Sequence, residues 1–156
     1  MKRLLLILLF AFSLAPSVVY AQKFTVKVVG ISDGDTFTAI NRDNLQLKIR
    51  VYGIDAPERG QDFGKRAKQA LSDYVFGQEV TIDVQKTDGW GRYISYVYTS
   101  DGRDVSLLML KDGMAWHFKK YDSTKEYAEA EEQAKRKKAG LWSVPNPVAP
   151  WDYRKK

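Results

Sequence analysis

Three stretches of apolar and polar alternation constrain this chain more than any other feature. Phe24, Val26 and Val28 alternate with Thr25 and Lys27; Leu45, Leu47, Ile49 and Val51 with Gln46, Lys48, Arg50 and Tyr52; and Val80, Ile82 and Val84 with Thr81, Asp83 and Gln85. A period of two puts every apolar side chain on one face of an extended segment, the pattern of a half-buried strand. Asp33-Gly34-Asp35 interrupts the first run as a turn, Thr36 to Ile40 resumes extended character, and Asn41-Arg42-Asp43-Asn44 reads as a tight polar turn. The first three strands therefore form a meander, with Asp55 at the end of the third. Tyr93 to Thr99, rich in aromatic and β-branched residues, makes a fifth strand after the glycine-bearing loop Lys86 to Arg92.

Helices are expected between and after these strands. Pro57 disfavours helix at Ala56 and closes the third strand. From Lys65 to Phe76, the residues Ala67, Ala70, Leu71, Tyr74 and Val75 share one helical face, and Gly77 stands where a left-handed cap would end it. Val105 to Asp112 is short and apolar, and periodicity leaves helix and strand both open. Ser123-Thr124-Lys125-Glu126 has the spacing of a capping box opening a helix to about Lys138, with Tyr127, Ala130 and Ala134 inward and Glu129, Glu131, Glu132, Lys135 and Lys137 in water. Leu141 and Trp142 are expected to fold back onto the core, while Pro145, Pro147 and Pro150 read as excluding regular structure, leaving 144–156 as a flexible basic tail. The whole predicts an α+β fold, mainly β: a five-stranded OB-fold barrel with three helices, over residues 22–143. Such barrels bind oligonucleotides across one face, although the fold alone does not establish catalysis.

Ahead of this domain, Lys2 and Arg3 precede an apolar run from Leu4 to Phe12, and Val19-Tyr20-Ala21 offers the small residues a signal peptidase reads. Residues 1–21 are thus expected to be a cleaved leader, since a membrane-spanning helix needs about 20 apolar residues. The protein would be exported, periplasmic or extracellular, with no membrane attachment once the leader is gone. The remainder of the 156-residue chain suffices for one domain with its own core. With no cysteine, disulfides, thiol nucleophiles and cysteine metal sites are excluded. The net charge of +6 favours polyanionic partners, but only modestly, since many exported proteins are basic.

Chemistry concentrates between Asp33 and Glu58. Asp35 follows the first turn and Asp55 ends the third strand, positions that adjacent antiparallel strands bring together, and two carboxylates so close repel unless a cation lies between them. Carboxylate oxygens suit Ca²⁺ or Mg²⁺, while a guanidinium such as that of Arg50 grips a phosphate in a planar fork. Either aspartate alone is more simply a turn or strand-ending residue. Arg50, Glu58 and Arg92 could each be solvated surface charges. The set together points to a site.

Asp33-Gly34-Asp35-Thr36, Arg50 five residues before Asp55, Asp55-Ala56-Pro57-Glu58, and Asp88-Gly89-Trp90-Gly91-Arg92 before a tyrosine-rich strand together resemble the staphylococcal nuclease (thermonuclease) family. The resemblance runs from about Phe24 to Trp142, and the order and spacing of the motifs make it specific. It implies a secreted Ca²⁺-dependent nuclease that hydrolyses phosphodiester bonds of DNA and RNA with low sequence specificity, an endonuclease leaving 3′-phosphates. By the same resemblance Asp35 and Asp55 are direct calcium ligands, Ala56 a ligand through its carbonyl, and Asp33 a ligand through water. Glu58 activates or positions the attacking water, and Arg50 and Arg92 bind the phosphate. The segments Arg59 to Gly64 and Ala115 to Ser123 are shorter than in the best-known members, which leaves substrate preference open.

Among many aromatics, Trp90, two residues before Arg92, and Tyr121 are the candidates for stacking on bases. His117, the one histidine, is assigned no chemistry. The expected partners are DNA and RNA, with the protein a monomer. A non-catalytic OB-fold module that holds single-stranded nucleic acid is the alternative; it would bind without cutting, in a salt-dependent way.

Overall fold

The structure is a computed structural model that describes residues 22–155; the expected leader lies outside them. In β1 (Gln22–Ile31) Val26 and Val28 are buried while Lys27 and Val29 face water, as alternation requires. β1 is long enough to serve two neighbours. Its first half pairs antiparallel with β5 (Glu79–Thr87), its second half with β2 (Thr36–Ile40), and a bulge between Val28 and Gly30 bends it from one to the other. β2 pairs with β3 (Gln46–Val51) across a turn in which the Asn41 side chain accepts the N–H groups of Asp43 and Leu45, with Asn44 left-handed at φ 57°.

β6 (Tyr93–Tyr98) returns antiparallel to β5 and lies parallel to β3, and this last pairing closes the five strands into a barrel. The meander of the first three strands and the five-stranded barrel are as expected. The parallel seam carries no local signature in either strand. Phe37, Ala39, Ile49, Val51, Ile82 and Val97 fill the interior.

The chain then departs from the expected third strand. β3 stops at Val51, Tyr52-Gly53 turns, and Asp55 belongs to a separate strand, β4 (Ile54–Asp55), paired with β7 (Trp116–His117). Gly53 causes the break: its φ is +76°, and a Cβ there would stand 2.7 Å from the Tyr127 ring.

α1 (Gly64–Val75) buries Ala67, Leu71 and Val75 and ends at left-handed Gly77, as the pattern predicts. α2 (Val105–Lys111) resolves the ambiguous segment as helix, begun by the Asp104 carboxylate accepting the Leu107 N–H at 3.2 Å. α3 (Lys125–Arg136) forms without the expected capping box. Thr124 is its N-cap and makes no side-chain cap; its hydroxyl donates instead to Asp122 at 2.8 Å, and Asp122 is itself bonded to buried His117 at 2.7 Å. Glu131, expected in water, is buried, because it extends the inner row of Tyr127, Ala130 and Ala134 at helical spacing. Its carboxylate accepts the His117 N–H at 2.9 Å and the ammonium groups of Lys119 at 2.9 Å and Lys135 at 3.0 Å.

The proline-containing end is not loose. After a 3₁₀ turn (Gly140–Ser143) that buries Leu141, the chain ends in a fourth short helix, α4 (Pro150–Tyr153). Pro150 occupies the first helical turn, where a missing N–H costs nothing. Trp151 stacks on Phe118, with ring centroids 5.4 Å apart at 6°, and meets Trp116 edge-on at 5.7 Å; Trp142 packs on the same Trp116 at 4.4 Å. The Gln61 amide also donates to the Val148 carbonyl at 2.6 Å.

Candidate active site

The turn before β2, the end of β3, β4, the segment after it and the β5–β6 loop meet around a cleft of about 810 Å³. Asp33, Asp35, Arg50, Asp55, Ala56, Glu58, Trp90, Arg92 and Tyr121 all line it, so every residue singled out from the sequence is brought to one place.

Local structure explains each position. Gly34 lets the Asp33–Asp35 turn lie directly on Ala56 and α1, where a Cβ would stand 2.7 Å from both the Ala56 and Ala67 Cβ atoms. Asp33 caps its own turn by accepting the Asp35 N–H at 3.1 Å. Register places Thr36 opposite Arg50, and the Tyr52-Gly53 turn swings Asp55 back toward Asp35. Asp35 then accepts the Ala56 N–H at 2.7 Å, tying the two carboxylate-bearing segments together. Glu58 opens a tight turn: its N–H donates to the Gln61 side chain at 3.0 Å, and its carbonyl accepts the Gln61 N–H at 2.9 Å.

Arg50 bridges the two aspartates, with one terminal nitrogen 2.8 Å from Asp35 and the other 3.0 Å from Asp55. The first of these also donates to the Ile54 carbonyl at 3.0 Å. Asp35 and Asp55 are only 6% and 1% exposed. Burial pushes the Asp35 carboxyl up to about 7; Arg50 and the Ala56 N–H oppose that rise, while Asp33 and Asp55 add to it.

Arg92 sits across the cleft. Its Nε donates to the Asp88 carboxylate at 2.8 Å, which fixes the side chain within its loop, while among the described residues its two terminal nitrogens have no hydrogen-bond partner. Its guanidinium also rests 5.2 Å from the Trp90 ring, and Trp90 is 83% exposed. Tyr121 is exposed too, with Lys86 and Lys120 near its ring face at 5.4 and 5.3 Å. His117 is buried away from this chemistry in its pair with Asp122.

One residue of the cleft escaped sequence reasoning. Arg154, just past α4, reaches into the cleft and donates to Asp55 at 2.7 Å and to Glu58. Two large aromatics in Pro150-Trp151-Asp152-Tyr153 were the available signal, since a solvated tail has no use for them.

Among the described residues, no group of three or more His, Cys, Asp or Glu side chains has metal-ligand spacing. Asp35 and Asp55 can thus offer a hard cation a partial oxygen shell only, with the rest of its roughly six to eight oxygens left to carbonyls, water and substrate. The arrangement as a whole offers carboxylates for a cation and a water, guanidinium groups for a phosphate, and exposed rings for bases.

Comparison with known proteins agrees with this geometry. Residues 48–144 match the family model described as staphylococcal nuclease homologue. An uncharacterized endonuclease of Haemophilus influenzae is 40% identical over 134 residues, covering 86% of this chain and 75% of its own. A micrococcal nuclease of Shigella flexneri is 37% identical over 143 residues, covering 85% and 81%. A probable staphylococcal-like nuclease of rice is 37% identical over 129 residues, covering 83% of this chain but 32% of its own. With the barrel, the cleft and the matched span in agreement, this chain belongs to the staphylococcal nuclease family.

Proposed function

We propose that this protein is a Ca²⁺-dependent nuclease that cuts within DNA and RNA chains with little sequence preference and leaves 3′-phosphates. The observation that carries the reading is the convergence of Asp35, Asp55 and Glu58 with Arg50 and Arg92 in one cleft edged by exposed Trp90 and Tyr121. The names of the relatives, micrococcal nuclease and endonuclease, point the same way.

The donor set fits a hard divalent cation: two nearly inaccessible carboxylates face each other, joined only by arginine, with a cation-accepting corner beside them. Asp35, Asp55 and the Ala56 carbonyl would hold Ca²⁺, with Asp33 acting through water. Bound there, the ion supplies Lewis-acid stabilisation of charge on phosphate oxygens. Glu58 orients the attacking water and takes its proton as the water oxygen bonds to phosphorus and the bond to the 5′ oxygen breaks, the departing oxygen gaining its proton from solvent water. Arg92, its terminal nitrogens without a partner among the described residues and its stem fixed by Asp88, is aimed in advance at the charge that grows on the phosphate. Arg50 adds a second guanidinium at the aspartate side, and Trp90 and Tyr121 stack on bases in a way that tolerates any sequence. Export, with removal of residues 1–21, and action as a monomer belong to the same proposal.

The test is release of acid-soluble nucleotides from denatured DNA and from RNA in Ca²⁺, in Mg²⁺ and in excess chelator, with Arg92→Ala alongside. Release in Ca²⁺ alone, nearly lost in the variant, is the expected result. Intact substrate that is nonetheless retained by the protein would replace the nuclease with a binding module.

A further inference from the structure

The proposed reaction gives no task to three charged residues that line the cleft, Lys48, Lys86 and Arg154, and of these Arg154 is the one that contacts Asp55 and Glu58. Three observations make it more than a chance ion pair. Its segment is anchored: Trp151 stacks on Phe118 at 5.4 Å, and Gln61 holds the Val148 carbonyl at 2.6 Å. Its guanidinium spans two carboxylates, one terminal nitrogen 2.7 Å from Asp55 Oδ2 and the other on Glu58 Oε1 and 3.3 Å from Asp55 Oδ1. A planar fork engaging two groups at once sets their separation and their orientation. Finally, the Glu58 backbone is tied into its turn, but among the described residues its carboxylate has no other partner than Arg154.

We propose that Arg154 is a positioning residue for Glu58, delivered by the C-terminal helix to hold the water-activating carboxylate in line beside Asp55. The inference rests on the nuclease reading above. A general base works only within hydrogen-bond reach of its water, and a misplacement of about 1 Å can cost about 100-fold in rate. A Glu58 side chain without Arg154 would be free to sample rotamers that point into solvent. Because the same guanidinium touches Asp55, removing it also takes a positive charge from beside the proposed cation site.

The experiment is a double-mutant cycle in the purified protein: Arg154→Met, which keeps the stem that packs; Glu58→Gln; and both together, with Arg154→Lys as the conservative variant. Trp151 fluorescence checks that α4 stays docked, and calorimetry measures Ca²⁺ affinity directly. Arg154→Met should lower kcat by about 10–100-fold. KM should change little, since the loss falls on orientation in the transition state. The same substitution should cost nothing further in Glu58→Gln. Arg154→Lys should recover part of the rate, and Ca²⁺ should bind Arg154→Met at least as tightly as the unaltered protein. An unchanged kcat, equal losses in both backgrounds, weakened Ca²⁺ binding or undocking of α4 would each overturn the inference while an active unaltered protein leaves the nuclease reading standing. An unaltered protein that fails to cut in Ca²⁺ would remove that reading and the inference with it.

Discussion

Adding a single methyl group at Gly34 should damage the site more than the fold. A Cβ built there lies 2.7 Å from the Cβ atoms of both Ala56 and Ala67. Carbon atoms rest comfortably at about 3.5–4.0 Å, so the turn must move away from β4 and α1 by about 1 Å. Overpacking of this kind costs about 1–3 kcal/mol, and each kcal/mol lowers Tm by about 2–4 °C in a chain of this size. Catalysis is less forgiving, because the same shift carries Asp35 away from Ala56, Asp55 and Arg50, and about 1 Å of misplacement can cost about 100-fold. Gly34→Ala should therefore remain folded, unfold a few degrees early, and lose about two orders of magnitude in Ca²⁺-dependent cutting. Thermal unfolding and initial rates on denatured DNA measure the two effects separately. Adding Ala56→Gly relieves one of the two contacts and should restore part of each. Native Tm and native rate in Gly34→Ala would refute the claim that close packing of this turn sets the geometry of the carboxylates.

Other substitutions separate the remaining roles. Arg92→Lys keeps the charge but loses the fork that lets one nitrogen hold Asp88 while the others remain free, so kcat should fall about 100-fold or more in single-turnover assays. Trp90→Ala should leave Tm unchanged, given 83% exposure, yet weaken binding of single-stranded DNA by about 1–3 kcal/mol, read as a higher KM with nearly constant kcat. In the absence of divalent cations, Asp35 makes stability fall as pH rises. Its folded carboxyl is pushed by burial from the usual 3.8 to about 7, so the folded state holds a proton that the unfolded state has already released across that interval. The stabilisation is complete below about 4 and gone above about 7; urea midpoints from pH 4 to 8 should show this slope, and Asp35→Asn should flatten it.

Much of this was legible in short windows of sequence. Alternation in Val26 and Val28 or Val80 and Ile82 marks a strand wherever it occurs, and Ala67, Leu71 and Val75 mark a helix face, because these patterns follow from backbone repeat alone. Asp33-Gly34-Asp35 and Asp55 to Glu58 stood out because a turn and a cluster of carboxylates show in residue types at close spacing, and because the motifs together resemble those of the family. The misreadings have a common origin in contacts that cross the chain. Glu131 resembled a solvated charge until Lys119, Lys135 and the His117 N–H came to neutralise it. Pro150 looked like a breaker, although at the start of a helix it is compatible with one.

What local sequence could settle here was the five barrel strands, the helices after Gly64 and Thr124 and the types of side chain available for chemistry, since period, turn residues and charge act over a few positions. The parallel seam of β3 with β6, the arrest of β3 at Gly53, and the arrival of Arg154 at carboxylates 96 and 99 residues earlier in the chain depended on packing. Each of these joins segments whose own patterns are indifferent to the partner. Packing of the half-buried aromatic cluster around Trp116 and Trp151, and closure of the barrel, are what bring them together.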